Sequence, residues 1–152
     1  MESLVRRLGR ILTPDRNNEE KVPSPCIFQR MERLEKALAM WLEKKGWRHP
    51  TRTIGEAAEE LGTDTGTLFL YFDERIGMDF RSWRTRLRLE DACRLLLEEP
   101  ETLASDIGLR VGFSNRSNFA RQFRAHTGLT PAQWRKEARM SRDSRAPEND
   151  YA

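Results

Sequence analysis

The stretch VGFSNRSNFARQFRAHTGLTPAQWR, Val111–Arg135, decides the fold. It holds Arg116, Arg121, Arg124 and Arg135, with His126 as a partial base, and no Asp or Glu. At 100° per residue, Phe119 and Phe123 share one face of a helix, and Phe113 stands beside them at its start. Ser117, Arg121 and Arg124 fall nearly opposite, flanked by Asn118 and Ala125. Ser114 is placed to cap this helix, and Gly128 to end it after His126. Pro131 suits the first turn of a further helix near Ala132–Arg139. One face is therefore apolar and suited to a core. The other carries guanidinium groups without carboxylates, the pattern of a surface that meets a polyanion.

The same plan recurs upstream. Leu61-Gly62 is followed by Phe72, Gly77 and Trp83, as Val111-Gly112 is followed by Phe123, Gly128 and Trp134. Counted from the first glycine, the intervals are 10, 15 and 21 in one copy and 11, 16 and 22 in the other. One residue is inserted early in the second copy, after which the spacing holds. Short helix, Gly turn, longer helix and Gly stop describe a helix-turn-helix unit, here present twice.

The remaining pattern fits around these units. Met31, Leu34, Leu38, Trp41 and Leu42 recur at three and four, predicting a helix over Gln29–Lys45 that Gly46 ends. Ile54–Leu61 reads as a short helix. Asp64 caps the next, which runs to Arg75. A long helix covers Phe80–Leu97 between the two units, and Thr102–Val111 is short again. No stretch alternates as a strand does. The expected fold class is all-α, with two helix-turn-helix subdomains joined by a long linker helix. Four segments follow: an amphipathic stretch at 1–12, a Pro-rich linker at 13–28, the double helix-turn-helix domain at 29–139 and a disordered polar tail at 140–152.

Composition narrows the function. Hydrophobic residues make up 38% and charged residues 34% of the 152-residue chain, enough for a modest core. No apolar run suits a membrane span, and no secretory signal opens the chain. Cys26 and Cys93 lack CxxC spacing, and with two histidines no metal site or cofactor is expected. Neither a phosphate-cradling glycine loop nor a nucleophile–base pair points to an enzyme. The net charge of +3 is divided unevenly. Between Thr53 and Asp79, Glu56, Glu59, Glu60, Asp64, Asp73, Glu74 and Asp79 face a single base, Arg75. Between Ile107 and Arg142 eight bases face one acid, Glu137.

GFSNRSNFARQFRAHTGLTPAQWR resembles the C-terminal signature of the AraC/XylS family of bacterial transcription regulators. Gly112-Phe113, Phe119, Phe123, Gly128, Thr130-Pro131 and Trp134-Arg135 carry the likeness, which extends back to about Leu34. RLRLEDACRLLL (Arg86–Leu97) is similar to the family's linker helix. The resemblance implies a seven-helix fold whose two recognition helices enter successive major grooves of double-stranded DNA. It allows a surface for RNA polymerase and implies a cytoplasmic, nucleoid-associated location. The family usually adds a sensing and dimerisation domain, for which residues 1–28 are too few. Operator, inducer and oligomeric state stay open.

The residues assign roles within this frame. Arg116, Ser117, Asn118 and Arg121 are the candidates for base contacts, and Arg121 suits the O6 and N7 of guanine. Arg110, Arg124 and Arg135 are the phosphate candidates. By alignment the first motif's reading positions are Gly66, Phe69 and Leu70, which departs from the polar or basic side chains frequent in the family. Acids surround them. The second motif is therefore expected to carry most DNA affinity. The rival reading is a protein-binding adaptor on the same scaffold.

Overall fold

The computed structural model describes residues 25–50 and 53–144. Among these residues it is helical throughout, with no strand. Its helices are α1 (Pro25–Glu43), α2 (Ile54–Glu60), α3 (Thr65–Tyr71), α4 (Phe80–Glu98), α5 (Ala104–Arg110), α6 (Arg116–Thr127) and α7 (Pro131–Asp143). A short 3-10 turn at Gly46–Arg48 lies between the first two. The amphipathic segment 2–12, most of the linker and the end of the tail lie outside the described residues. The chain forms two compact units. One holds α1, α2, α3 and the start of α4 through Trp83; the other holds the 3-10 turn, α4 from Arg84 onward, and α5 to α7.

The first unit is organised by its caps and its aromatic core. Thr53 and Glu56 form a reciprocal capping box on α2, the Thr53 N–H donating to the Glu56 carboxylate at 2.8 Å. Asp64 caps α3 by accepting from the Thr67 N–H at 2.8 Å. Trp41 of α1 stacks on Trp83 at 6.0 Å, and the Phe72 ring meets Trp83 edge-on at 5.1 Å. Phe80 closes the cluster, 5.3 Å from Phe72. Each fully buried side chain of this size stabilises by about 2–3 kcal/mol. Beyond Tyr71 the helix widens into a π turn, Phe72–Ile76, and stops at Gly77 with φ 73°.

The second unit repeats the plan with a different core. Leu89, Leu95 and Leu96 of α4 meet Ile107, Val111, Phe113, Phe119 and Phe123. Cys93 and Trp134 pack partly buried against them. Burial, with the Glu90 charge second, pushes the Cys93 thiol up to about 11. α4 also holds the 3-10 turn. Asp91 accepts from Arg48 Nε at 2.6 Å, Arg94 Nη2 at 2.8 Å and Trp47 Nε1 at 3.2 Å. Burial alone would raise its carboxyl, but these hydrogen bonds and the Arg48 charge outweigh it and hold the group below the usual range. Beside it, Arg88 donates to the carbonyl oxygens of Trp47 (2.5 Å) and His49 (2.7 Å).

Several boundaries differ from expectation. The first helix begins at Pro25 rather than Gln29, because a proline lacking its N–H fits the first helical position. The left-handed residue after α1 is Lys45 (φ 55°), not Gly46. That costs about 1 kcal/mol, and the turn it starts buries Trp47 against Asp91. Leu103 precedes α5 with no side-chain cap. Asn115, not Ser114, caps α6. The last helix continues to Asp143, so residues 140–143 are helical rather than tail.

Candidate nucleic-acid interface

The outward face of α6 depends on how its inward face is fixed. Phe119 and Phe123 are almost fully buried, and their rings lie 5.5 Å apart. Phe113 meets Phe119 at 5.3 Å, and Trp134 meets Phe123 edge-on at 6.1 Å. α5 comes close to α6 because Gly108 has no side chain where the Phe119 ring passes. At the turn, Gly112 has φ 112°, and a Cβ there would stand 2.6 Å from Arg88 Nε. The same helix ends are secured locally. Asn115 Oδ1 accepts from the Asn118 N–H at 2.7 Å. At the other end, the hydroxyl of the last helical residue, Thr127, donates to the Phe123 carbonyl at 2.9 Å and accepts from the Leu129 N–H. The helix thus has one rotational setting about its own axis.

That setting exposes Arg116, Ser117, Ala120, Arg121, Arg124 and Ala125, with Asn118 half-buried. Arg121 Nη2 donates to Asn118 Oδ1 at 3.0 Å, which steers the guanidinium and leaves its other N–H groups available. Arg124 is exposed and makes no ion pair with a described residue. Arg116 pairs with Asp106 at 3.3 Å, both side chains largely exposed. Such a pair is worth little in water and exchanges readily for a stronger anion.

The remaining expected phosphate contacts sit in different surroundings. Arg110 is exposed but holds Glu99 with both ends of its fork, Nη2 to Oε1 at 3.0 Å. That hydrogen bonding lowers the Glu99 carboxyl and raises the Arg110 guanidinium. Arg135 faces inward. Its Nε donates to the Leu96 carbonyl at 2.9 Å, and its Nη2 donates to Thr102 at 2.8 Å and Glu99 at 3.2 Å. These carbonyls belong to the end of α4 and the turn after it, so Arg135 ties α7 to that turn instead of offering its charge outward.

Ala120 was not singled out from the sequence. It sits at the centre of the exposed face, and shallow depressions open on either side of it. One is bounded by Arg121, Arg124 and Thr130, the other by Arg116, Ser117 and Ser105. The available signal was its position three after Ser117 and one before Arg121, on the same face.

The matching positions of α3 differ in chemistry. Gly66 is exposed, and a Cβ on it would lie 3.1 Å from Asp64 Oδ1, crowding the cap of its own helix. Phe69 is 48% and Leu70 36% exposed. Asp73 and Glu74 are exposed and make no ion pair with a described residue. The two motifs share a backbone plan and present opposite surfaces.

Comparison with known proteins agrees with this fold. Residues 57–137 match the model of a family described as a helix-turn-helix domain. A Staphylococcus aureus (strain COL) protein named as an uncharacterized HTH-type transcriptional regulator is 31% identical over 104 residues, covering 68% of this chain and 14% of that protein. The chain thus spans a small part of that relative. The C-terminal domain of the two-component response regulator yesN from Fusobacterium nucleatum superposes with a TM-score of 0.58 at 27% identity, over 66% of this chain and 96% of that one. A probable AraC family transcriptional regulator from Rhodopseudomonas palustris gives a TM-score of 0.55 at 27% identity, over 68% and 97%. Among the described residues, no helix is long and apolar enough to cross a membrane.

Proposed function

Because the chain belongs to the AraC-type helix-turn-helix domain family, we propose that it is a DNA-binding transcriptional regulator that lays α6 in a major groove. The observation that carries this reading is the outer face of α6, where Ser117, Arg121 and Arg124 are exposed on a stretch without a carboxylate. Arg121 donates to the O6 and N7 of one guanine, worth about 1–3 kcal/mol of discrimination. Ser117 and Asn118 donate to or accept from neighbouring base edges. Ala120 lets the helix backbone approach closely, and its methyl suits a thymine methyl. Arg124 neutralises a phosphate, and Arg116 does so on exchanging Asp106 for DNA. Arg110 reaches a phosphate only on exchanging the Glu99 carboxylate for DNA. The site of action is the nucleoid.

Random-site DNA selection with the intact chain tests this. A half-site containing a guanine whose identity depends on Arg121 is the expected result. Log Kd against log salt should run with a slope of magnitude about 4–7, set by the phosphates neutralised. No enriched sequence, together with negligible binding at modest salt, would leave the adaptor reading in its place.

A further inference from the structure

The surface of α3 carries features that groove reading does not use. Phe69 and Leu70 are exposed side by side, and with Gly66, Asp73, Met78 and Asp79 they line one shallow apolar concavity. Its rim is acidic. Asp64 and Asp79 are exposed caps whose carboxyls are held low by hydrogen bonds from Thr67 and Ser82, so both stay charged. Asp73 and Glu74 add charge without a described ion-pair partner. Arg75 is half-buried, leaving the acids in excess. A phosphate backbone is repelled here. The fitting occupant is apolar on one side and basic on another.

We infer that this concavity binds residues 2–12 of the chain itself. That segment, ESLVRRLGRIL, combines the two required properties. At helical spacing Leu4, Val5, Leu8, Ile11 and Leu12 make one stripe, Arg7 borders it, and Arg6 and Arg10 lie behind. Only Glu2 opposes the three arginines. The face of α6 is a poorer partner, because it offers guanidinium groups but no large apolar side chain.

The tether is long enough. Residues 13–24 separate the segment from Pro25, where α1 begins. Twelve extended residues reach about 40 Å, more than the roughly 28 Å length of the nineteen-residue α1. α1, to which the tether connects, packs against α3, the helix that carries Gly66, Phe69 and Leu70. Docking covers Phe69 and Leu70 and sets Arg7, at the border of the stripe, beside the acidic rim, with Arg6 and Arg10 adding positive charge behind it.

Photocross-linking in the full chain tests the contact. Phe69 is replaced by p-benzoylphenylalanine, and the products are mapped by mass spectrometry. The expected main product joins position 69 to residues 4–12. It should fall at least fivefold with Leu8→Asp, and likewise with Arg6→Glu, Arg7→Glu and Arg10→Glu combined. Unchanged circular dichroism confirms that the variants fold. A mixture of isotopically light and heavy chains separates contact within one molecule, which the inference requires, from contact between two, which overturns it. Cross-links that avoid residues 2–12, or that persist at full yield in both variants, overturn it. Because the readout needs no DNA, its failure leaves the role of α6 standing.

Discussion

Gly108 and Phe119 meet so closely that a Cβ on the glycine would lie 2.3 Å from the aromatic ring. Phe119 is 1% exposed and packed against Phe113 and Phe123, so it has nowhere to retreat. Gly108→Ala should therefore destabilise by about 2–3 kcal/mol through overpacking, despite the better helix propensity of alanine. Urea unfolding should show a lower midpoint with an unchanged slope. An unaltered midpoint would mean that α5 can slide away from α6 at no cost.

Asp91 should govern the acid limb of stability. Its carboxyl lies below the ordinary 3.8, so the folded state binds this proton more weakly than the unfolded chain. The stability it adds is complete above about pH 5 and is lost as pH falls through 3.8 and below. Asp91→Asn should cost about 3 kcal/mol at neutral pH, by removing the buried negative charge and one of the two acceptor oxygens that Arg48, Arg94 and Trp47 share. The variant's stability should also fall less steeply below pH 4 than that of the unsubstituted chain. Parallel acid limbs in the two proteins would count against this role.

Arg121 and Arg124 should separate in DNA binding. Arg121→Ala should cost about 1–3 kcal/mol on the selected site and relax preference at one base pair. Arg124→Ala should weaken all sequences alike and reduce the salt slope by about 1. Competition assays with single-base variants at two salt concentrations distinguish the patterns. Identical behaviour of the two variants would remove the division between base and phosphate contact.

Arg135 should behave as a structural residue. Arg135→Ala frees the carbonyls of Leu96, Glu99 and Thr102 and should destabilise by about 2 kcal/mol. Below its unfolding temperature, the variant should keep the salt slope of DNA binding. A slope reduced by a full unit would return Arg135 to the phosphate contacts.

Much of the fold was legible because the determinants are local. Gly62, Gly77, Gly112 and Gly128 all adopt positive φ where the repeat placed them, Asp64 caps its helix, and Pro131 opens the last one. The misplaced boundaries have non-local causes. Lys45 takes the left-handed turn because Trp47 is drawn to Asp91, 44 residues away. Asn115 capping where Ser114 was expected is the local exception: the residue inserted early in the second copy moves the cap from two residues past the glycine, as at Asp64, to three. The exposed face of α6 followed from period alone. The inward turn of Arg135 did not, since its acceptors lie 33 to 39 residues earlier in the chain. Arg110 and Arg116 likewise met acids brought near by the turns between them, which helical spacing does not register.

Cys93 lies partly buried beside the core that carries α6, its thiol pushed up to about 11. At neutral pH it is overwhelmingly protonated and only partly exposed, so an alkylating reagent should react with it slowly. The chain thereby holds a native stopwatch: in a Cys26→Ser background, labelling rates at this sulfur, timed with and without bound duplex, would report how DNA changes access to the floor beneath the groove-facing helix.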